Sequence, residues 1–209
     1  MHILLVDDHP LLRFAVRQVI ERHYPSSTIR EAATADEALR ITRAQPIEVM
    51  ILDIELPDHS GLTLLKQLKK ARTKISCVVL TIHSDPQYLR LAFQHGVSAY
   101  LTKGSAPEEL HKAIRTVCSG GRYISKDMNG SIDAKGRPLP AMLPNLQLSS
   151  RELEVLSWLA KGRTVSQVAT RLKLSVKTVS TYRSRLLQKL QLETTADLIR
   201  YAIARHLAK

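Results

Sequence analysis

The sequence predicts an α/β chain in three stretches. A doubly wound, five-stranded parallel sheet domain spans 1–122, a linker spans 123–147, and a small all-α domain of four helices spans 148–209. Three observations carry this reading. Five short apolar runs alternate regularly with five amphipathic segments, the pattern of a parallel sheet covered by helices. Residues 126 to about 147 then lose any helical period and are punctuated by Asn129, Gly130, Gly136, Pro138, Pro140 and Pro144. Beyond them, four helix-start signals follow one another.

In chain order, Ile3, Leu4, Leu5 and Val6 form the first strand. A segment over 11–22 places Leu12, Ala15, Val16, Val19 and Ile20 on one helical face. A strand over 28–32 and a helix over 35–44, closed by Pro46, come next. Val49, Met50, Ile51 and Leu52 form a buried strand that leads through Leu56, Pro57 and Gly61 into a helix over 62–71. The strand over 77–80 precedes a helix that starts near Asp85 and Pro86 and ends at His95 and Gly96. The strand over 97–102 precedes a helix that Pro107 starts and Gly120 and Gly121 stop.

In the second half, Ser149 with Glu152 reads as a capping box before Leu153, Val155, Leu156 and Leu159, and Gly162 ends that helix. Thr164 with Gln167 repeats the device before Val168, Ala169 and Leu172. A turn at Lys173 and Leu174 leads to Ser175, which caps a longer helix through Val179, Leu186, Leu187 and Leu190. Thr194 with Asp197 opens a last helix holding Leu198, Ile199, Ala202 and Ile203. Short helix, brief turn, longer helix is the order of a helix-turn-helix.

Composition narrows the function classes. The length of 209 residues suits one large or two small domains. No apolar stretch approaches the ~20 residues that span a bilayer. Met1, His2, Ile3 and Leu4 enter a strand at once, with no basic segment before an apolar core, so neither a signal peptide nor a membrane span is expected and the expected compartment is the cytoplasm. Cys77 and Cys118 sit far apart in apolar contexts and read as two reduced, buried thiols, with no disulfide framework and no zinc cluster. The charge is lopsided. Residues 1–125 carry 16 Lys and Arg against 13 Asp and Glu, whereas 126–209 carry 15 against 6, so most of the net +12 lies in the back half. Such asymmetry suits a chain whose second domain meets a polyanion, although a solvated basic face has the same composition.

The strand ends carry the chemistry. In an open parallel sheet, ligands sit outside the carboxyl ends of the strands. Those ends here are Asp7 and Asp8, Asp53, Thr81, and Lys103. An aspartate carboxylate can act as a phosphoryl nucleophile and form an acyl phosphate. Transfer requires the phosphoryl charge to be neutralised, which Mg²⁺ and a fixed cation do together, and Mg²⁺ takes carboxylate oxygens and water. Each residue alone has a plainer role, as helix cap, strand end or solvated lysine; the four strand ends together describe one site. His9, His59 and His83 lie nearby, but loop histidines are usually solvated and none has a second histidine at ligand spacing, so they are assigned no metal.

These residues also carry a family resemblance. Leu5, Val6, Asp7, Asp8, His9 and Pro10, then Leu52 to Pro57 with Gly61, Thr81, and Tyr100 to Lys103 closely resemble the receiver domain of bacterial two-component response regulators, a flavodoxin-like fold. The resemblance implies Asp53 as phosphoacceptor, Asp8 and Asp53 as Mg²⁺ ligands with the backbone carbonyl of Glu55, and Asp7 acting through water. It implies that Thr81 bonds a phosphoryl oxygen, that Lys103 pairs with the phosphate, and that Tyr100 is the aromatic switch whose rotamer follows Thr81. Tyr100 is also, on the plainest reading, a half-buried strand residue. Gly104 departs from the pattern, standing where an acidic residue often follows the lysine.

The back half resembles the LuxR-type helix-turn-helix of the NarL/FixJ class, through Leu148 to Leu156, Ala160 to Gly162, Val168 and Ala169, Leu174 to Val179, and Lys189 with Leu190. The run from Lys177 to Leu190, with Asp7 to Pro10 and Leu12 to Arg17, looks most like the BvgA/EvgA-type subgroup. Independently of the family, a helical wheel clusters Val179, Leu186 and Leu190 on one side with Tyr182 and Leu187 at its edges, and Arg183 nearer that buried side. The opposite side holds Lys177, Thr181, Ser184 and Gln188, flanked by Ser180 and Arg185. With Thr178 these form the candidate DNA-contacting set, because the second helix of this motif enters the major groove. Many relatives place a lysine at Ser180, so base preference does not carry over.

The expected function is therefore that of a phosphorylation-controlled transcription regulator, not an enzyme with a separate substrate. The resemblance implies a histidine kinase or phosphotransfer protein as donor, double-stranded promoter DNA as target, RNA polymerase as a further partner, and a homodimer at least when phosphorylated. A receiver whose basic tail binds protein or RNA would lack a dimeric duplex footprint. A hydrolase using Asp53 would need a substrate pocket, and a DNA binder without a phosphate switch would not need the complete acidic site.

Overall fold

The computed structural model describes residues 1–71, 73–105, 107–131, 148–205 and 207. They form two compact units, one carrying the sheet and the other the C-terminal helices. Along the chain, β1 (His2–Val6), α1 (Pro10–His23), β2 (Thr28–Ala32), α2 (Ala35–Ala44), β3 (Val49–Leu52), α3 (Gly61–Lys70), β4 (Ser76–Thr81), α4 (Pro86–Gln94), β5 (Ala99–Thr102) and α5 (Pro107–Cys118) follow the alternation read from the sequence.

The sheet has six strands, in the order β2-β1-β3-β4-β5-β6, and every neighbouring pair is parallel. The sixth, β6 (Tyr123–Ile124), corrects the expected count of five. Two residues carry no readable period; they become a strand only because Tyr123 and Ile124 lie beside Ala99 and Tyr100. A 3-10 turn over Lys126–Ser131 follows within the segment expected to be linker, and 132–147 lie outside the described residues.

Strand alternation explains why the runs are apolar throughout. Ile3, Leu5, Val49, Ile51, Val78, Leu80, Ala99 and Leu101 share one core with Val16 and Ile20 of α1 and Leu110, Ala113, Ile114 and Val117 of α5. The alternate residues Leu4, Val6, Met50, Leu52, Val79 and Tyr100 are buried as well, as required when helices cover both faces of a parallel sheet. Tyr100 is therefore fully buried, not half-buried as its sequence context suggested.

The thiols divide. Cys77 on β4 is buried, and burial pushes its thiol up to about 12. Cys118 corrects the expectation of two buried thiols: it is exposed as the last residue of α5, with Sγ 3.7 Å from Met1 Sδ. Its position in sequence beside Val117 looked apolar, but consecutive helix residues face different directions.

The second unit contains α6 (Ser150–Ala160), α7 (Val165–Arg171), α8 (Val176–Leu190) and α9 (Thr195–Ala204). Reciprocal capping boxes form at Ser149 with Glu152, Thr164 with Gln167, and Thr194 with Asp197, while Ser175 caps α8 through the Thr178 amide. Each satisfies amides that a helix start leaves without partners. Lys173, at φ +53°, makes the left-handed turn between α7 and α8. Leu153, Val155, Leu156, Leu159, Val168, Ala169, Leu172, Val179, Leu186, Leu190, Leu198 and Ala202 are buried. Among the described residues, no helix is long and apolar enough to cross a membrane.

Candidate functional site

The order β2-β1-β3 makes the chain reverse its direction of travel across the sheet between β1 and β3, and a crevice opens at such a switch point beyond the strand ends. Asp7 and Asp8 leave β1 there and Asp53 leaves β3. The Asp53 amide continues the ladder by donating to the Val6 carbonyl at 2.8 Å, which fixes where its side chain starts. The Asp53 side chain is 1% exposed. Its Oδ1 accepts from the Glu55 amide at 3.2 Å, and its Oδ2 lies 2.6 Å from Lys103 Nζ. The same ammonium lies 2.7 Å from Asp7 Oδ2.

Burial pushes the Asp53 carboxyl above its ordinary value, against the pull of the Lys103 ammonium and the Glu55 amide, and Asp7 adds repulsion. Burial would lower the Lys103 ammonium, but Asp53 and Asp7 outweigh it and hold it above its usual value. A carboxylate forced into a confined pocket, with a cation fixed beside it, is the electrostatic arrangement that phosphoryl transfer uses.

One oxygen each from Asp7, Asp8 and Asp53 and a ring nitrogen of His9 lie within 4.8 Å of one another. Asp8 Oδ1 is buried without an aligned hydrogen bond, although His9 Nδ1 stands 2.9 Å away. Three carboxylates, one of them with an unsatisfied oxygen, fit a hard, oxygen-seeking divalent cation. His9 was assigned no metal role from sequence; the structure brings its Nδ1 to 2.9 Å from Asp7 Oδ1 as well, so it joins this cluster.

The loop β3–α3 is held close by Gly61. A Cβ at this position would meet the Asp53 carbonyl oxygen at 2.4 Å. Asp58, in the same loop, accepts from the Ala35 and Asp36 amides at 2.9 Å each, closing the start of α2. Thr81, at the end of β4, is fully buried. The Lys103 amide donates to its carbonyl at 2.7 Å, which places Thr81 beside the strand end that carries the lysine. Tyr100 donates its hydroxyl to the His83 carbonyl at 2.9 Å, tying β5 to the segment after Thr81. His83 corrects a second histidine expectation: it is 1% exposed, not solvated, with Nε2 3.2 Å from Glu55 Oε1. No periodic signal marks a buried loop residue; its polar company in Thr81 and Glu55 was the available clue.

On the second unit, the wheel is matched residue by residue. Val179, Leu186 and Leu190 are buried, while Lys177, Thr181, Ser184, Arg185 and Gln188 are exposed. Thr178 and Ser180 are half-buried. The Thr178 hydroxyl is 2.7 Å from Ser175 Oγ and so belongs partly to the helix cap. Ser175, Lys177, Thr178, Thr181, Tyr182 and Arg185 line a shallow depression of about 320 Å³. Ser175 and Tyr182 were read only as a cap and as an edge of the buried side; the depression adds them to the outward surface. Arg183 is half-buried, as expected from its wheel position.

Comparison with known proteins covers both halves of the chain. Residues 3–115, more than half of the chain, match the response regulator receiver domain, and residues 146–202 match the bacterial regulatory proteins of the luxR family. The chain belongs to the response regulators of the NarL/FixJ class. This response regulator is 32% identical over 204 residues to the response regulator UvrY of Escherichia coli K12, covering 97% of this chain and 94% of UvrY. It is 34% identical over 196 residues to the transcriptional regulatory protein UhpA of Salmonella typhimurium, covering 94% of each. It is also similar to RcsB of Salmonella enterica serovar Typhimurium bound to promoter P1flhDC in the presence of the phosphomimetic BeF3⁻, with a TM-score of 0.75 at 26% identity, over 96% of this chain and 97% of RcsB. Both domains of this response regulator thus have counterparts in transcriptional regulators of two-component systems.

Proposed function

We propose that Asp53 is the phosphoacceptor of this response regulator, and that its phosphorylation controls binding of the outward face of α8 to double-stranded promoter DNA. The observation that carries the reading is the Asp53 carboxylate, buried at a strand end with Lys103 Nζ at 2.6 Å and further carboxylates beside it. A histidine kinase or phosphotransfer protein supplies the group. A carboxylate oxygen of Asp53 attacks the phosphorus of the phosphohistidine, the P–N bond breaks, and the imidazole leaves with the bonding pair and takes a proton from water. The product is an acyl phosphate.

Asp8, Asp53 and the backbone carbonyl of Glu55 would hold Mg²⁺, with Asp7 acting through water. When bound, the ion supplies neutralisation of the phosphoryl oxygens. Lys103 pairs with the phosphoryl group, and the Thr81 hydroxyl bonds one of its oxygens. Drawing Thr81 toward the phosphate shifts the segment that runs to His83, and Tyr100, bonded to the His83 carbonyl, registers the shift. Lys177, Thr178, Ser180, Thr181, Ser184, Arg185 and Gln188 form the DNA-contacting set.

A homodimer, at least in the phosphorylated state, suits two recognition helices on half-sites about one DNA turn apart. RNA polymerase as a further partner and a cytoplasmic location belong to the same reading, as does the absence of turnover on any separate substrate.

The test is phosphorylation by acetyl phosphate with Mg²⁺, read by intact mass. Wild type gains a hydroxylamine-labile phosphoryl adduct and Asp53→Asn does not. Equal labelling of the two would place the chemistry on another residue.

A further inference from the structure

Arg13 lies one turn into α1 and faces back toward the strand ends. Its Nη1 donates to the Asp7 carbonyl at 2.5 Å and its Nε to Glu31 Oε2 at 3.0 Å. Glu31, near the end of β2, is held on its other oxygen by Arg17 Nε at 2.7 Å, and Arg17 also reaches Glu21 at 3.2 Å. Burial would raise the Glu31 carboxyl, but the two arginines outweigh it and hold Glu31 below the usual carboxylate range. The Asp7 amide meanwhile donates to the Ala32 carbonyl at 3.1 Å. Both peptide groups flanking the Asp7 Cα are thus tied, one to β2 and the other to α1.

The second of these is the Asp7–Asp8 peptide. A peptide unit is planar, so fixing its carbonyl fixes the direction in which the chain leaves toward Asp8. The Asp8 carboxylate, with its buried and unsatisfied Oδ1, starts from that plane. We propose that Arg13 is a positioning residue for the divalent cation, orienting the Asp7–Asp8 peptide while Glu31 and Arg17 hold its guanidinium. The inference rests on reading Asp7, Asp8 and Asp53 as the cation site. The planar guanidinium holds Nη1 on the backbone carbonyl and Nε on the carboxylate from two fixed, separate positions, whereas an ammonium would have to reach both acceptors from one point.

The partners that orient metal ligands typically contribute 10- to 100-fold to metal affinity. The experiment titrates full-length, unphosphorylated protein with Mn²⁺ and follows free Mn²⁺ by electron paramagnetic resonance, with thermal unfolding in EDTA measured alongside. Arg13→Gln and Glu31→Ala are each expected to weaken Mn²⁺ about tenfold, and Arg13→Lys is expected not to restore it. Asp8→Asn serves as the reference and is expected to abolish binding. If Arg13→Gln does not fold, Glu31→Ala, which leaves Arg13 in place, decides alone. Wild-type Mn²⁺ affinity in the Arg13 and Glu31 variants, with Asp8→Asn inactive, would overturn the positioning role while leaving the cation site intact; a lowered thermal midpoint with unchanged affinity has the same meaning. Wild-type affinity in Asp8→Asn would overturn the cation site and the inference together.

Discussion

Lys103 and Asp53 directly follow the last residues of β5 and β3, two strands apart, yet Lys103 Nζ lies 2.6 Å from Asp53 Oδ2. β4 lies between those two strands, and the same ammonium also meets Oδ2 of Asp7, the residue after β1, at 2.7 Å. One cation therefore draws carboxylates from two strands toward the point where a phosphoryl group would sit.

Removing it leaves those carboxylates facing an incoming dianion without a fixed countercharge. Lys103→Ala is expected to slow labelling of Asp53 by acetyl phosphate by roughly 10²-fold, the scale of losing one preorganised charge-stabilising group. Initial rates by intact mass at saturating Mg²⁺ give the number. A rate within a factor of two of wild type would mean that the ammonium plays no part in transfer.

Gly61 makes a steric prediction. A Cβ there would stand 2.4 Å from the Asp53 carbonyl oxygen and 3.0 Å from Ile54 Cα, both backbone atoms that cannot rotate away. Gly61→Ala must displace the loop after β3 and is expected to cost about 1–3 kcal/mol in stability, the usual range for overpacking. It should also slow phosphorylation, because the displaced loop carries the Glu55 amide that bonds Asp53 Oδ1. Chemical denaturation and the labelling assay read the two effects on one preparation, and a variant with unchanged midpoint and rate would remove the close approach.

Asp58 carries a pH dependence. Burial raises its carboxyl, but the amides of Ala35, Asp36, His59 and Asp58 itself together outweigh burial and hold it below the ordinary carboxylate range. A depressed folded value means that the stabilisation is complete above the unfolded value and is lost as pH falls through the folded one. Asp58→Ala is expected to lose about 1 kcal/mol at neutral pH, as for a helix-capping side chain. The gap between wild type and variant should close only on acidification below the usual carboxylate range. Thermal midpoints between pH 7 and 3 test it; a gap that persists unchanged at the acid end would assign the effect to packing.

These residues differ in how far sequence reveals them. Asp7, Asp53, Thr81 and Lys103 were legible because each follows an apolar run, and strand ends of a parallel sheet converge on one side whatever the loops do. Their mutual distances were not, because they depend on register and strand order. Asp58 caps a helix more than twenty residues earlier in the chain, so no local spacing announces it. His83 is covered by what lies around its loop, and β6 exists only through its neighbour β5. The α8 face was legible nearly residue by residue, since one helix with one buried side obeys a single angular rule.

That face also shows more than its wheel. The Thr181 hydroxyl donates to the Lys177 carbonyl at 3.0 Å, so its proton is spent within α8. The side chain can still accept a hydrogen bond, and it presents a methyl group. A methyl packs on the thymine methyl in the major groove, and short hydroxyl side chains such as Ser180 and Thr181 cannot make the bidentate guanine contacts of arginine. A·T-rich half-sites are therefore expected, read by contact and by groove shape. Thr181→Val keeps the methyl group and should keep the thymine preference. Thr181→Ser keeps the hydroxyl and should relax that preference at one or two positions, at a cost of about 1 kcal/mol, the lower end for a lost base contact. Selection of bound duplexes from a random pool, run with wild type and both variants, separates the two groups. The reverse outcome, preference retained in Thr181→Ser and lost in Thr181→Val, would make the hydroxyl the reader. A G·C-rich consensus unchanged in both would take Thr181 out of base recognition.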